Sequence, residues 1–192
     1  MARWQPDATE RLVVAAVELF TEQGYDDTTV AQIVERAGLT KSTFFRHFSD
    51  KRELLVAGQQ TLSTLLADGI TEAPAHASPL QAVAVGLERA SSEMGPTNRK
   101  LGPRIKAAIA SSTELQERDA LKSVGLAAAM TTALAARGVP DPTARVAAEL
   151  GVLAFKQGYT RWSESDGAEE PGLAHHTLIA LDELRSATST LG

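Results

Sequence analysis

Apolar residues recur at helical spacing along most of this chain, and nowhere do they alternate as they would in a strand. Leu12, Val13, Ala16, Leu19 and Phe20 form a first stripe, opened by Asp7 with Glu10 and closed by Gly24. Val30, Ile33, Val34 and Ala37 form a second, short stripe. Thr29 with Gln32 gives it a capping box, and Gly38 suits its end because a left-handed residue there carries no Cβ penalty. Thr40 offers a new N-cap almost at once, and Phe44 and Phe48, four apart, share a face with Leu39. Asp50 and Glu53 open what the pattern predicts as one long helix, with Leu54, Leu55, Gly58, Leu62, Leu65 and Leu66 keeping the spacing to about Ile70.

Prolines and small residues break the pattern over 71–79, after which Leu80 to Met94 reads as helix. Residues 97–112 read as helix interrupted at Gly102-Pro103. Thr113 to Ala136, Asp141 to about Ser163, and Leu173 to Ala187 follow, with a polar loop over 163–172. The expectation is an all-α chain of two domains. Residues 1–52 make a three-helix helix-turn-helix domain, and 53–192 a second helical domain. Residues 1–6 read as a loose arm with Arg3 in solvent.

The second helix of the hairpin carries the chemistry. With Phe44 and Phe48 turned inward, Lys41, Ser42, Phe45 and Arg46 fall on the opposite face. Lys41 can reach guanine O6/N7 or a phosphate, Ser42 can donate or accept, and the Thr43 methyl can meet a thymine methyl. Thr29, His47 and Lys51 stand where phosphates would set the register. From the residues alone, an ordinary helical hairpin with a solvated face stays open beside this reading. An exposed Phe45 between Lys41 and Arg46 is what solvation does not account for.

Charge adds a local signal. The net charge is −5, which disfavours non-specific nucleic-acid binding, and residues 1–52 hold 7 Lys/Arg against 8 Asp/Glu. Between Arg36 and Lys51, however, four Lys/Arg face only Asp50. Zero cysteines exclude disulfides and thiolate metal sites. Of the four histidines, adjacent His175 and His176 diverge by about 100° on a helix, so no metal site is expected, and no cofactor. No apolar run nears the roughly 18 residues of a membrane span, and the first twelve residues lack an apolar signal core, so a cytoplasmic protein with no membrane partner is expected. No nucleophile elbow, P-loop or metalloprotease motif occurs, so no catalytic residue is assigned.

The stretch from Thr28 to Leu55, TTVAQIVERAGLTKSTFFRHFSDKRELL, resembles the signature of the tetracycline-repressor (TetR) family of transcription regulators. The likeness reaches back through Glu18 to Tyr25, about the first third of the chain. By that resemblance Thr40, Lys41, Ser42 and Thr43 are base-contact positions, and Thr29, Phe45, His47 and Lys51 hold the DNA backbone, beside Arg46 on the same face. Ser42 stands where the family most often has Gly, and Phe45 where it most often has Tyr, so Phe45 brings no hydroxyl for a phosphate.

The resemblance further implies a repressor that binds a palindromic double-stranded operator as a homodimer and is released by a small apolar or amphipathic effector. The dimer is expected through the last two helices, with Ala147, Leu150, Gly151, Ala154, Phe155 and Gly158 on one and Leu173, His176, Ile179, Ala180 and Leu184 on the other. Met94, Arg104, Met130, Phe155, Tyr159 and Trp162 are the candidate ligand residues. Ligand is expected to act by moving the helix that starts near Lys51. The alternative from another class is an all-α small-molecule carrier or enzyme whose N-terminal hairpin is only structural.

Overall fold

A computed structural model describes residues 7–165 and 171–190. The expected arm with Arg3, and the middle of the loop after residue 163, lie outside the described residues. The described residues contain helices and turns and no strand. In order they are α1 (Ala8–Gln23), α2 (Val30–Arg36), α3 (Lys41–His47), a 3₁₀ helix (Lys51–Val56), α4 (Gln59–Glu72), α5 (Pro79–Ser92), α6 (Pro96–Ser111), α7 (Thr113–Ala136), α8 (Asp141–Glu164) and α9 (Leu173–Thr188).

The chain divides into two compact units, Met1–Ala57 with Pro103–Ala120, and Gly58–Gly102 with Leu121–Gly192. The N-terminal unit thus runs past residue 52 and takes in a second, distant segment. Its core gathers Leu12, Ala16, Phe20, Ile33, Phe44, Phe48 and Leu54 with Ala108 and Leu115. The last two, from the end of α6 and the start of α7, are buried to 2% and 0% exposure, as fully as the α1–α3 residues they join.

The α2–α3 turn forms as the spacing predicts. Gly38 has φ +63°, and the amides of Gly38 and Leu39 donate back to the carbonyls of Glu35 and Val34. This is the Schellman arrangement, in which a left-handed residue lets two amides close the last turn. Thr29 and Gln32 form the reciprocal capping box. Asp7 is the N-cap residue of α1 but its side chain makes no cap bond.

Two helix predictions need correction. The long helix expected over 50–70 is broken: a 3₁₀ helix ends at Val56, and Gly58 adopts φ +77° before α4 begins. A glycine on an apolar stripe reads as a small helical residue, yet here it takes a backbone conformation that other residues rarely adopt. Conversely, α6 is not interrupted at Gly102-Pro103 but runs through Pro103. The proline removes one backbone donor, and packing holds the helix on both sides of it. Gly102 lies against Tyr159 and Ser163 on one side, and Ala108 is buried on the other.

In the second unit α4 packs on α5, and α8 on α9, with α5 also against both α8 and α9. Small residues set the crossings: a Cβ on Gly69 would lie 2.7 Å from the Gly86 Cα, and one on Gly151 would meet Val83 and Met130. Arg137 donates to the carbonyls of Thr71, Ala73 and Pro74, closing the exposed end of α4. Most of the small stripe on α8 is therefore interior. Ala147, Gly151, Ala154, Phe155 and Gly158 are buried within the chain, as are Leu173 and Ala180 of α9, so these cannot form a face for a second copy. The outward apolar residues there are Val146, Leu153 and Ile179, with 59%, 43% and 40% exposure, and Leu150 half-buried beside them.

Candidate nucleic-acid interface

α3 is a short helix, and seven residues do not hold a helix in isolation. Its N-terminus is held by Thr40, whose hydroxyl accepts from the Thr43 amide at 3.1 Å. Its inner face is held by Phe44, fully buried, and Phe48, with ring centroids 5.7 Å apart. That anchoring leaves Lys41, Ser42, Phe45, Arg46 and His47 outward. Phe45 is 58% exposed, its ring meeting Phe44 edge-on at 5.2 Å.

The structure separates the expected contact residues by what their polar atoms already do. Thr40 and Thr43 hydroxyls lie 3.0 Å apart, so one donates to the other and the pair keeps a single outward hydroxyl proton. Thr29 is engaged with Gln32 through both its hydroxyl, at 2.9 Å, and its amide, at 2.8 Å. His47 Nδ1 lies 3.4 Å from the Thr9 hydroxyl of α1. Lys51 is seated inward: its ammonium donates to the carbonyls of Tyr25, Thr28 and Asp26 at 2.6, 3.0 and 3.3 Å, and lies 4.1 Å from the centre of the Tyr25 ring.

The local concentration of cations is likewise divided. Arg36 makes a two-pronged pair with Glu22, at 2.9 and 2.7 Å, and reaches Glu18 at 3.5 Å. Its guanidinium holds the Glu22 carboxyl below the usual carboxylate range. Arg52 pairs with Asp50, lowering that carboxyl too, and reaches Glu114 of α7 at 3.3 Å. Lys41 and Arg46 are the cations of this stretch that face outward from α3.

Two positioning groups escaped the sequence reading. Arg11 of α1 donates to the carbonyls of Ala37 and Gly38, fastening the α2–α3 turn to α1. Gln23 donates to the Asp27 carbonyl and reaches Thr28 and Gln32 at 3.3 Å. Arg11's partners lie 26 and 27 residues away, beyond any local pattern.

The candidate ligand residues are only partly brought together. Phe155 and Tyr159 stack at 6.2 Å, and Tyr159 and Trp162 follow at 5.8 Å, forming an aromatic row along α8. Met130 is buried in the same core and Met94 packs at its margin. The Tyr159 hydroxyl donates to the Asn98 carbonyl at 2.7 Å, and burial pushes its phenol up to about 12. Arg104 falls in the N-terminal unit, where it pairs with Glu18 at 3.7 Å. No cluster of three His, Asp or Glu able to hold a metal occurs among the described residues.

A short helix, a glycine turn and a third helix with an anchored inner face and a cationic, aromatic outer face define a helix-turn-helix domain. Residues 12–57 match the family model of bacterial regulatory proteins, tetR family. The regulator TcmR of Streptomyces glaucescens is 38% identical over 74 residues, 38% of this chain and 33% of that protein. The match thus spans about a third of that relative's length. In fold, a TetR-family protein of Syntrophomonas wolfei superposes over 97% of both chains with a TM-score of 0.61 at 17% identity. The Bacillus subtilis regulator FadR, in complex with stearoyl-CoA, covers 91% of this chain and 96% of its own at TM-score 0.58 and 18% identity. The sequence likeness to TetR-family regulators lies in residues 12–57, and the likeness over the rest of the chain is one of fold.

Proposed function

We propose that this protein is a homodimeric, DNA-binding transcriptional repressor released by a small apolar or amphipathic molecule. The observation that carries the reading is the outer face of α3. Lys41, Ser42, Phe45 and Arg46 stand exposed on a helix fixed by buried Phe44 and Phe48 and fastened through Arg11. Lys41 and Ser42 sit in the first turn, where a recognition helix reads base edges, with the outward hydroxyl of the Thr40–Thr43 pair beside them. Arg46 and His47 meet phosphate, and Phe45 makes apolar contact with sugar or a thymine methyl. Thr29 borders the same contact, its hydroxyl already engaged by Gln32.

Two copies place two such helices on a palindromic operator, whose half-sites are about 34–36 Å apart per helical turn. The second copy docks through the outward apolar residues Val146, Leu150 and Leu153 of α8 and Ile179 of α9. The aromatic row on α8 with Met94 supports an apolar effector, and the fold shared with a regulator bound to stearoyl-CoA supports an acyl-chain ligand. Ligand and operator then oppose each other by a reciprocal coupling of about 1–3 kcal/mol. No helix among the described residues is long and apolar enough to cross a membrane, in keeping with a cytoplasmic regulator.

A gel shift with DNA from upstream of the chain's own gene tests the reading. A specific complex at moderate salt that long-chain acyl-CoA dissociates is the expected result. Absence of any specific complex would favour a carrier or enzyme with a structural hairpin instead.

A further inference from the structure

Lys51 is the cation whose surroundings fit its expected role least. A lysine ammonium has three N–H donors and no acceptor. Here three backbone carbonyls surround it, those of Tyr25, Asp26 and Thr28, and the Tyr25 ring lies beneath. The residue is half-buried rather than outward, unlike Lys41 and Arg46. A phosphate would have to draw the ammonium out of this seat and leave the carbonyls of a tight turn without their donor.

We propose that Lys51 is a positioning residue for DNA recognition rather than a phosphate contact. The inference rests on the DNA-binding reading above. The carbonyls it holds belong to the turn between α1 and α2, and the last of them immediately precedes the Thr29 cap. Arg11 holds the carbonyls at the other end of α2. The seven-residue α2 is thus fixed at its entry by Lys51 and at its exit by Arg11, and α3 follows directly from that exit. Fixing both ends of α2 fixes the angle at which α3 presents Lys41 and Ser42. The specificity of Lys51 for this task lies in its shape. Three donors diverging from one nitrogen suit three converging carbonyls, which a planar guanidinium does not reproduce.

Two variants and one spectrum test this. Lys51→Met and Lys51→Arg are each expected to weaken operator binding by about tenfold, the loss of a charged group's hydrogen bonds. The slope of log affinity against log salt should stay at the wild-type value in both. A phosphate role predicts the reverse: Lys51→Arg would keep wild-type affinity, and Lys51→Met would flatten the slope by about 0.9. Either of those results overturns the proposal. Independently of any variant's folding, wild-type protein labelled at lysine Nζ should show a slowly exchanging ammonium resonance from Lys51, unmoved when operator is added. Its absence in the free chain, or a shift on binding DNA, also overturns the assignment. If the wild-type chain forms no operator complex, the DNA-binding reading fails and the positioning role falls with it, while the resonance still reports whether the carbonyl seat exists.

Discussion

Gly158 of α8 and Thr177 of α9 are packed so closely that a Cβ on the glycine would lie 2.6 Å from the Thr177 Cα. The neighbour is backbone, so it cannot turn aside as a flexible side chain would. Gly158→Ala is expected to destabilise the second unit by about 1–3 kcal/mol, the usual cost of overpacking. Chemical denaturation checks this, and an unchanged midpoint would mean that the two helices separate more easily than their contact suggests.

The two outward cations of α3 should behave differently. Lys41→Ala is expected to relax the preference at one base pair of the operator, and Arg46→Ala to weaken all sequences and flatten the salt slope by about one unit. Affinities over a panel of single-base operator variants distinguish them. Equal weakening of every operator by Lys41→Ala would reassign it to the phosphates.

Phe45 is open to solvent and carries no hydroxyl. Phe45→Tyr leaves the packing of Phe44 untouched and adds a donor at the proposed DNA-contact face. Operator affinity should rise several-fold, roughly one hydrogen bond of 0.5–1.5 kcal/mol, with no change in melting temperature. A fall in affinity would show that the apolar edge itself contacts the DNA.

The dimer face proposed above predicts that Leu153→Glu yields monomers. Leu153 is 43% exposed in the single chain, so the substitution should leave the helical signal intact while sedimentation reports half the mass. Operator affinity should fall in parallel, because each copy then holds one half-site. A variant that stays dimeric would move the interface elsewhere.

The chain has two tyrosines, and both are held neutral above their ordinary value near 10. For Tyr25 the causes are burial first and then Glu114; for Tyr159 the cause is burial. A raised phenol pKa favours the protonated form in the folded state. Its contribution to stability is therefore complete below about 10 and is lost as pH rises through about 12 for Tyr159. Ultraviolet titration should show no tyrosinate at pH 10 in the folded protein, and both groups should titrate together once it unfolds in alkali. An ordinary step near 10 would mean that one ring is solvated.

The helix-turn-helix was legible because its determinants are local. A capping box spans four residues, a Schellman turn six, and Phe44 and Phe48 one helical turn. What was not legible depends on partners distant in the chain or on backbone sign. Lys51 and Arg11 meet carbonyls more than twenty residues away, and from their neighbours alone each is simply an exposed cation. Gly58 keeps the apolar spacing, and nothing in that spacing distinguishes φ +77° from a helical value. The small residues of α8 suit a close helix crossing within one chain as well as between two, and only the position of α5 and α9 decides which. Arg104 lies near Met94 in the chain but on the far side of the Gly102–Pro103 division.

That division bears on how such proteins can be recombined. Leu115 and Ala108 complete the core around Leu12, Ile33 and Phe44, and Glu114 meets Arg52. A hybrid built by joining residues 7–57 of this chain to the remainder of a related one would therefore inherit the first unit without the two residues that complete its core. The transplant would need two grafts, the second carrying the α6–α7 corner. The two compact units are encoded in interleaved, not consecutive, lengths of this polypeptide.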